Sequence, residues 1–147
     1  MHLQKHTNIQ FKQINATDTY AVRHPVLRKG LPLSSCAFDR DEDNKTIHLG
    51  AYLENKAVGV LTLLPNNKDV QLRGMAVLEK FQGQGVGKQL ITHAENLVRQ
   101  QNTCNLWMNA RLIAIPFYAS CGYQKQGDAF ELPYGGIHYK MIKTLCD

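Results

Sequence analysis

The sequence contains no apolar run approaching the roughly 18 residues that a membrane-crossing helix requires, which excludes a helical membrane protein. Its opening stretch, Met1-His2-Leu3-Gln4-Lys5-His6, is polar and lacks the apolar centre of a secretory signal, so a cytoplasmic location is expected. The basic residues are scattered and build no arm for nucleic acid, which is therefore not the expected partner. The four cysteines, Cys36, Cys104, Cys121 and Cys146, make no C-x-x-C pair and have no zinc-ligand spacing. Free thiols, buried or partly exposed, and no metal are expected. Internal repeats and low-complexity tracts are also missing.

What is present has the profile of one domain spanning residues 1–147. With 147 residues, 44% of them hydrophobic and 20% charged, the chain is large enough for a single core and ordinary in composition. A formal charge of +5 suits an anionic ligand without choosing its class. A short strand is expected over Ile9 to Ile14, then a helix capped near Asn15 to Asp18 and running to Lys29-Gly30, with Pro25 kinking or dividing it. A loop from Leu31 to Asn44 carries the acidic cluster Asp39 to Asp43. Strands follow at Thr46 to Leu53, Ala57 to Leu64 and Val70 to Val77. A long helix then places Val86, Leu90, Ala94, Leu97 and Val98 on one face. Leu106 to Met108 is a strand, Arg111 to Ser120 a helix, and Phe130 to Leu132 with Ile137 to Leu145 a final strand pair. The fold class is α/β: a mixed, mostly antiparallel sheet flanked by helices, with one β-α-β crossover.

Gln82-Gly83-Gln84-Gly85-Val86-Gly87 stands between a strand and that long helix. Glycines there let backbone N–H groups approach phosphate oxygens, and the helix dipole adds positive potential. A nucleoside-triphosphate loop would need glycine at Gln82 and Ser or Thr at Gln89, and has neither. The dinucleotide fingerprint would need its third glycine at Lys88 or Leu90, and fails in both registers.

The pattern Gln/Arg-x-x-Gly-x-Gly/Ala is met in full, and on it the chain resembles the GNAT superfamily of acyl-CoA-dependent N-acyltransferases. Two further stretches are similar to that family: the strand Leu72-Arg73-Gly74-Met75-Ala76-Val77, and the segment from Asn109 to Tyr123 with its Phe117-Tyr118-x-x-x-Gly122-Tyr123 ending. Arg111 stands where many members carry asparagine, in a variant that also resembles known members. The resemblance implies that Gln82, Gly83, Gln84, Gly85, Val86, Gly87 and Lys88 hold the pyrophosphate of acetyl-CoA. It likewise implies that Met75, Ala76, Val77, Asn109, Ala114, Phe117 and Tyr118 flank the pantetheine arm and sulfur.

The implied reaction is direct attack of a small-molecule primary amine on the thioester, with Tyr118 as the acid that protonates the departing thiolate. The strand at Met75-Ala76-Val77 is implied to splay from the one at Leu106-Trp107-Met108, exposing N–H groups to the thioester carbonyl. The general base is left open among His138, His48, Glu79 and a chain of waters. Arg23 and Arg28 are candidates for binding an acceptor carboxylate, against the plainer reading of solvated helix arginines. The Asp39 to Asp43 cluster is a candidate for attracting a cationic amine, or simply a solvated loop. Transfer to a protein or peptide amine, and a non-catalytic acyl-CoA sensor, are the alternative functions. Exposed sheet edges often pair in this family, so a homodimer is compatible with the resemblance.

Overall fold

In the computed structural model, residues 8–146 are described, and the polar stretch Met1 to His6 lies outside them. Strand β1 (Gln10–Ile14) leads through a 3-10 turn into helix α1 (Tyr20–Leu27). The turn is held by Asp18, whose carboxylate accepts from the Asn15 N–H at 3.0 Å. Pro25 lies inside α1 without dividing it. Strands β2 (Ile47–Leu53), β3 (Lys56–Asn66) and β4 (Asp69–Val77) form a meander. The β2–β3 link is a two-residue turn with Glu54 and Asn55 at φ 50° and 69°, the backbone that matches strand twist. Helix α2 (Val86–Gln100) crosses to β5 (Asn105–Arg111), followed by α3 (Ile115–Ser120), β6 (Gln124–Leu132) and β7 (Gly136–Thr144).

All seven strands form one sheet in the order β1-β2-β3-β4-β5-β7-β6, and β4–β5 is its parallel pair. The α2 stripe of Val86, Leu90, Ala94 and Val98 is at most 2% exposed and packs on one face with α3. Burial of Val86, Leu90 and Val98 contributes about 1.5–3 kcal/mol each, and that of the Ala94 methyl less. Val22 of α1 packs on the other face against Val60 and Ala76. Among the described residues no helix is long and apolar enough to cross a membrane.

Three local expectations are corrected. The helix expected from Arg111 begins instead at Ile115; Arg111 closes β5 and a 3-10 turn spans Leu112–Ala114. Pro116 explains the difference, because a proline fits a first helical turn but would remove an interior hydrogen bond. Strand β6 starts at Gln124 rather than Phe130. As the sheet's edge it is exposed over nearly its whole length, so no apolar alternation marks it. Finally, Cys104 and Cys146 are joined in a disulfide, while Cys36 and Cys121 are free. The pair stands one or two residues outside the register Asn105↔Thr144, so the ends of β5 and β7 bring together cysteines 42 positions apart.

Candidate active site

Strands β4 and β5 stay paired only through Asp69↔Asn105, Val70↔Leu106 and Gln71↔Trp107. Beyond that point β4 follows β3, and β5 follows β7 along its whole length, so the sheet opens into a wedge. A bulge in β4 sharpens the divergence: Thr62 pairs with Arg73, yet Val60 pairs with Ala76, so Gly74 and Met75 together stand against Leu61. Gly74 has φ +62°, and a Cβ there would lie 2.9 Å from the Phe38 ring. Glycine is required at that position. The splay expected at Met75 is present.

A cavity of about 530 Å³ fills the wedge. Of the residues implied to flank the cofactor, Met75, Asn109, Ala114 and Tyr118 line it. Ala76 is buried in the α1-side cluster, so it can offer a ligand only its backbone.

The glycine turn adjoins the wedge. Gly83 and Gly85 have φ +77° and +88°, and a Cβ at either would meet nothing within 4 Å. They are therefore glycines for backbone conformation, and they front open space. Gly87 differs: a Cβ there would sit 3.1 Å from both Met75 Cε and Phe117 Cζ. Its absence lets the first turn of α2 lie against β4 and α3. Gln82 donates to the Val77 carbonyl at 2.8 Å and Gln84 to that of Lys80 at 3.2 Å, so both side chains brace the loop. Val86 is buried, which leaves its N–H as the group it can present. The N–H groups of Val86, Gly87 and exposed Lys88 open α2 and have no carbonyl one turn earlier in the helix. A pyrophosphate fits this cradle by charge and by room.

Tyr118 is 8% exposed, held edge-on by Phe117 at 5.2 Å and Tyr123 at 6.2 Å between ring centres. Its hydroxyl has no protein partner among the described residues. Burial pushes the phenol well above its usual pKa, against a smaller opposing effect of the nearby Arg111 charge. The group is a proton donor across the whole neutral range.

The three side chains considered for the base separate clearly. His48 is consumed by structure, with Nδ1 2.7 Å from Thr62 Oγ1 and Nε2 2.9 Å from the Asp41 carbonyl. Glu79 is exposed in the turn before the glycine loop and lines no part of the cavity. His138 lines it, opposite Arg111 in the β5–β7 register. Its Nδ1–H donates to the Gly136 carbonyl at 2.7 Å, which leaves the Nε2 lone pair available.

The acceptor side holds a correction. Arg23 neither faces solvent nor is available to a ligand carboxylate: it is fully buried and bound bidentately to Asp41, at 2.6 and 3.1 Å. It also donates to the Cys36 carbonyl at 2.8 Å and to Thr62 Oγ1 at 2.9 Å. The loop read as solvated folds over α1 and carries Asp41, 7% exposed, onto that guanidinium. Burial works to raise the Asp41 carboxyl pKa, but hydrogen bonds from Arg23 and the Phe38 N–H outweigh it, leaving the group below its ordinary range. Arg28 does line the cavity. Sequence reasoning missed Arg73, Phe38 and Tyr134. Arg73 lies within the quoted strand without having been singled out, and no motif marks Phe38 or Tyr134, because the loop and the turn that carry them meet only in three dimensions.

A family model described as the acetyltransferase (GNAT) family matches residues 10–123. The chain belongs to the GNAT family. As a member it is an acyltransferase, built on the acyl-CoA N-acyltransferase fold. It is 31% identical over 144 residues to YitI of Bacillus subtilis (strain 168), described as an uncharacterized N-acetyltransferase, covering 93% of this chain and 97% of that one. An aminoglycoside 6'-N-acetyltransferase complexed with coenzyme A superposes with a TM-score of 0.78 at 13% identity, over 94% of this GNAT chain and 98% of the other. The ribosomal-protein-S18-alanine N-acetyltransferase of Escherichia coli does so with a TM-score of 0.77 at 16% identity, over 93% and 94%. At these identities the two structures show the shared fold.

Proposed function

We propose that this GNAT protein transfers the acetyl group of acetyl-CoA to the primary amine of a small molecule by direct attack. The observation that carries the reading is the continuity of the two halves of the site. Met75 contacts the glycine turn through Gly87 and also lines the wedge that holds Tyr118.

Acetyl-CoA supplies an acyl group already activated as a thioester. The N–H groups of residues 83–88 hold its pyrophosphate, and the unpaired edge of β4 from Gly74 to Val77 offers hydrogen bonds to the pantetheine amides and the thioester carbonyl. Tyr118 holds a proton for the departing thiolate. His138 Nε2 takes one from the attacking amine, with Gly136 fixing the tautomer. The turn joining β6 and β7 brings Pro133 and Tyr134 to the cavity, which favours a small acceptor over an extended peptide.

Titration calorimetry of acetyl-CoA against ATP, followed by thiol release across an amine panel, tests this reading. Tight acetyl-CoA binding with amine-dependent thiol release is expected. Equal binding of ATP refutes the loop assignment, and binding without turnover on any amine points to a sensor.

A further inference from the structure

Three arginines reach the cavity, Arg28, Arg73 and Arg111, against one carboxylate residue, Asp39. Arg73 is engaged by the chain itself, donating to the Asp39 carbonyl and standing 3.8 Å from Asp41. Arg28 and Arg111 are different. Arg28 gives its Nε and Nη1 to the Ser35 and Leu27 carbonyls, at 3.3 and 3.1 Å, and has no carboxylate partner among the described residues. Its guanidinium carbon stands over two rings, 3.7 Å from the centre of Tyr134 and 4.7 Å from that of Phe38. These two cation–π contacts and the two hydrogen bonds hold the group in place and leave Nη2 to donate. Arg111 has no hydrogen-bond or ion-pair partner among the described residues, although it is only partly exposed.

The fold brings these two charges together. Tyr134 and Gly135 share the β6–β7 turn; Tyr134 carries Arg28, and a Cβ on Gly135 would strike Arg111 Cδ at 2.5 Å. Burial makes Arg28 a weaker base than usual; Tyr134 and Cys36 oppose that shift, and the like charges of Arg23 and Arg111 add to it. Two half-buried guanidinium groups in one cavity, with no internal carboxylate between them, are stabilised by an anion from outside.

We propose that the acceptor is a primary amine that also carries a carboxylate, with the carboxylate bound between Arg28 and Arg111 and the amine directed toward His138. The pairing of Arg111 with His138 across β5–β7 sets anion site and base side by side. This deepens the acetyltransferase reading and rests on it. Polycationic acceptors, such as aminoglycosides and polyamines, are repelled by the same pair.

The test is a set of matched acceptors, ω-amino carboxylates from glycine to 6-aminohexanoate, each compared with its carboxamide, together with phosphoethanolamine, spermidine and kanamycin. At least one amino carboxylate is expected to exceed its amide in kcat/KM by roughly ten- to hundredfold, the usual range for a charged hydrogen bond. Arg111→Met should raise KM for that acid by a similar factor and narrow the ratio of acid to amide in kcat/KM toward one. Arg28→Lys, which keeps the charge but not the guanidinium, should give a smaller rise in the same direction. Calorimetry of the acid and amide against protein saturated with coenzyme A reads acceptor binding without turnover. If acids and amides bind and react alike, or phosphoethanolamine or spermidine is preferred, the carboxylate site is refuted while the acetyltransferase reading stands. If acetyl-CoA fails to bind, both fall.

Discussion

Replacing Tyr118 with phenylalanine isolates one atom of the site. The ring is packed by Phe117 and Tyr123 and is retained in the variant, whereas the hydroxyl has no protein partner to lose. Folding stability should therefore change by no more than about 0.5 kcal/mol, because no buried group is left unsatisfied. Loss of a positioned acid costs about 10²–10⁴ in rate, or about 2.7–5.5 kcal/mol of barrier. Thiol release measured from pH 6 to 10 should show kcat falling by that factor with acetyl-CoA affinity unchanged. Since burial raises the Tyr118 pKa, its proton stays on through alkaline pH, and loss of that proton should put no descending limb on the wild-type profile in this range. A second arm uses acetyl thioesters of more acidic thiols. Their leaving groups need less protonation, so the gap between Tyr118→Phe and wild type should narrow. A variant retaining more than a third of wild-type kcat, or a gap independent of thiol acidity, would remove Tyr118 as the acid.

Other perturbations probe the frame around the site. Asp41→Asn strands a fully buried guanidinium and should destabilise the protein by about 3–5 kcal/mol in urea unfolding. Because the folded-state pKa of Asp41 is depressed, its contribution is present above the unfolded carboxylate value near pH 4 and is lost as pH falls through the folded value. Wild-type stability should therefore drop more steeply in acid than that of Asp41→Asn; parallel curves would contradict the assignment. Gly85→Asp places a negative side chain and a strained φ at the cradle, and calorimetry should show acetyl-CoA binding weakened by roughly ten- to hundredfold. Reducing the Cys104–Cys146 bond opens a crosslink across 42 residues, which loop entropy values at about 4 kcal/mol; dithiothreitol should lower Tm by about 8–16 °C. An unchanged Tm would argue that the bond does not form in solution.

How far the sequence could be read followed the range of each signal. Local periodicity and glycine spacing mark β2 to β4, α2 and the glycine turn between them, because those patterns report on neighbours a few positions away. Edge strand β6 escaped, since exposure on both faces erases alternation. Arg23, a candidate for an acceptor carboxylate or a solvated helix residue, is neither, and nothing near position 23 announces that Asp41 will fold onto it, 18 residues later. Likewise the disulfide depends on β5–β7 register, and the wall of Arg28, Phe38 and Tyr134 on a loop meeting a turn. Tertiary contacts between distant segments build the Arg28 wall of the cavity, whereas the bulged edge of β4 and the glycine turn follow one another in the chain.

The wedge between β4 and β5 has a mechanical consequence. At the narrow end Asn105 donates to Asp69 at 3.0 Å across the β4–β5 pair, while Thr144 donates to Asn105 at 3.0 Å and the Cys104–Cys146 bond ties β5 to β7 within one leaf. The two leaves of the sheet are therefore held unequally. The leaf of β5, β7 and β6 carries its own covalent and side-chain ties and brings Arg111 and His138. The leaf of β4 meets it through three backbone pairs and Asn105–Asp69 at the narrow end, and through the contact of Arg28 with Tyr134 at the wide end. The opening between them is thus tied at both ends.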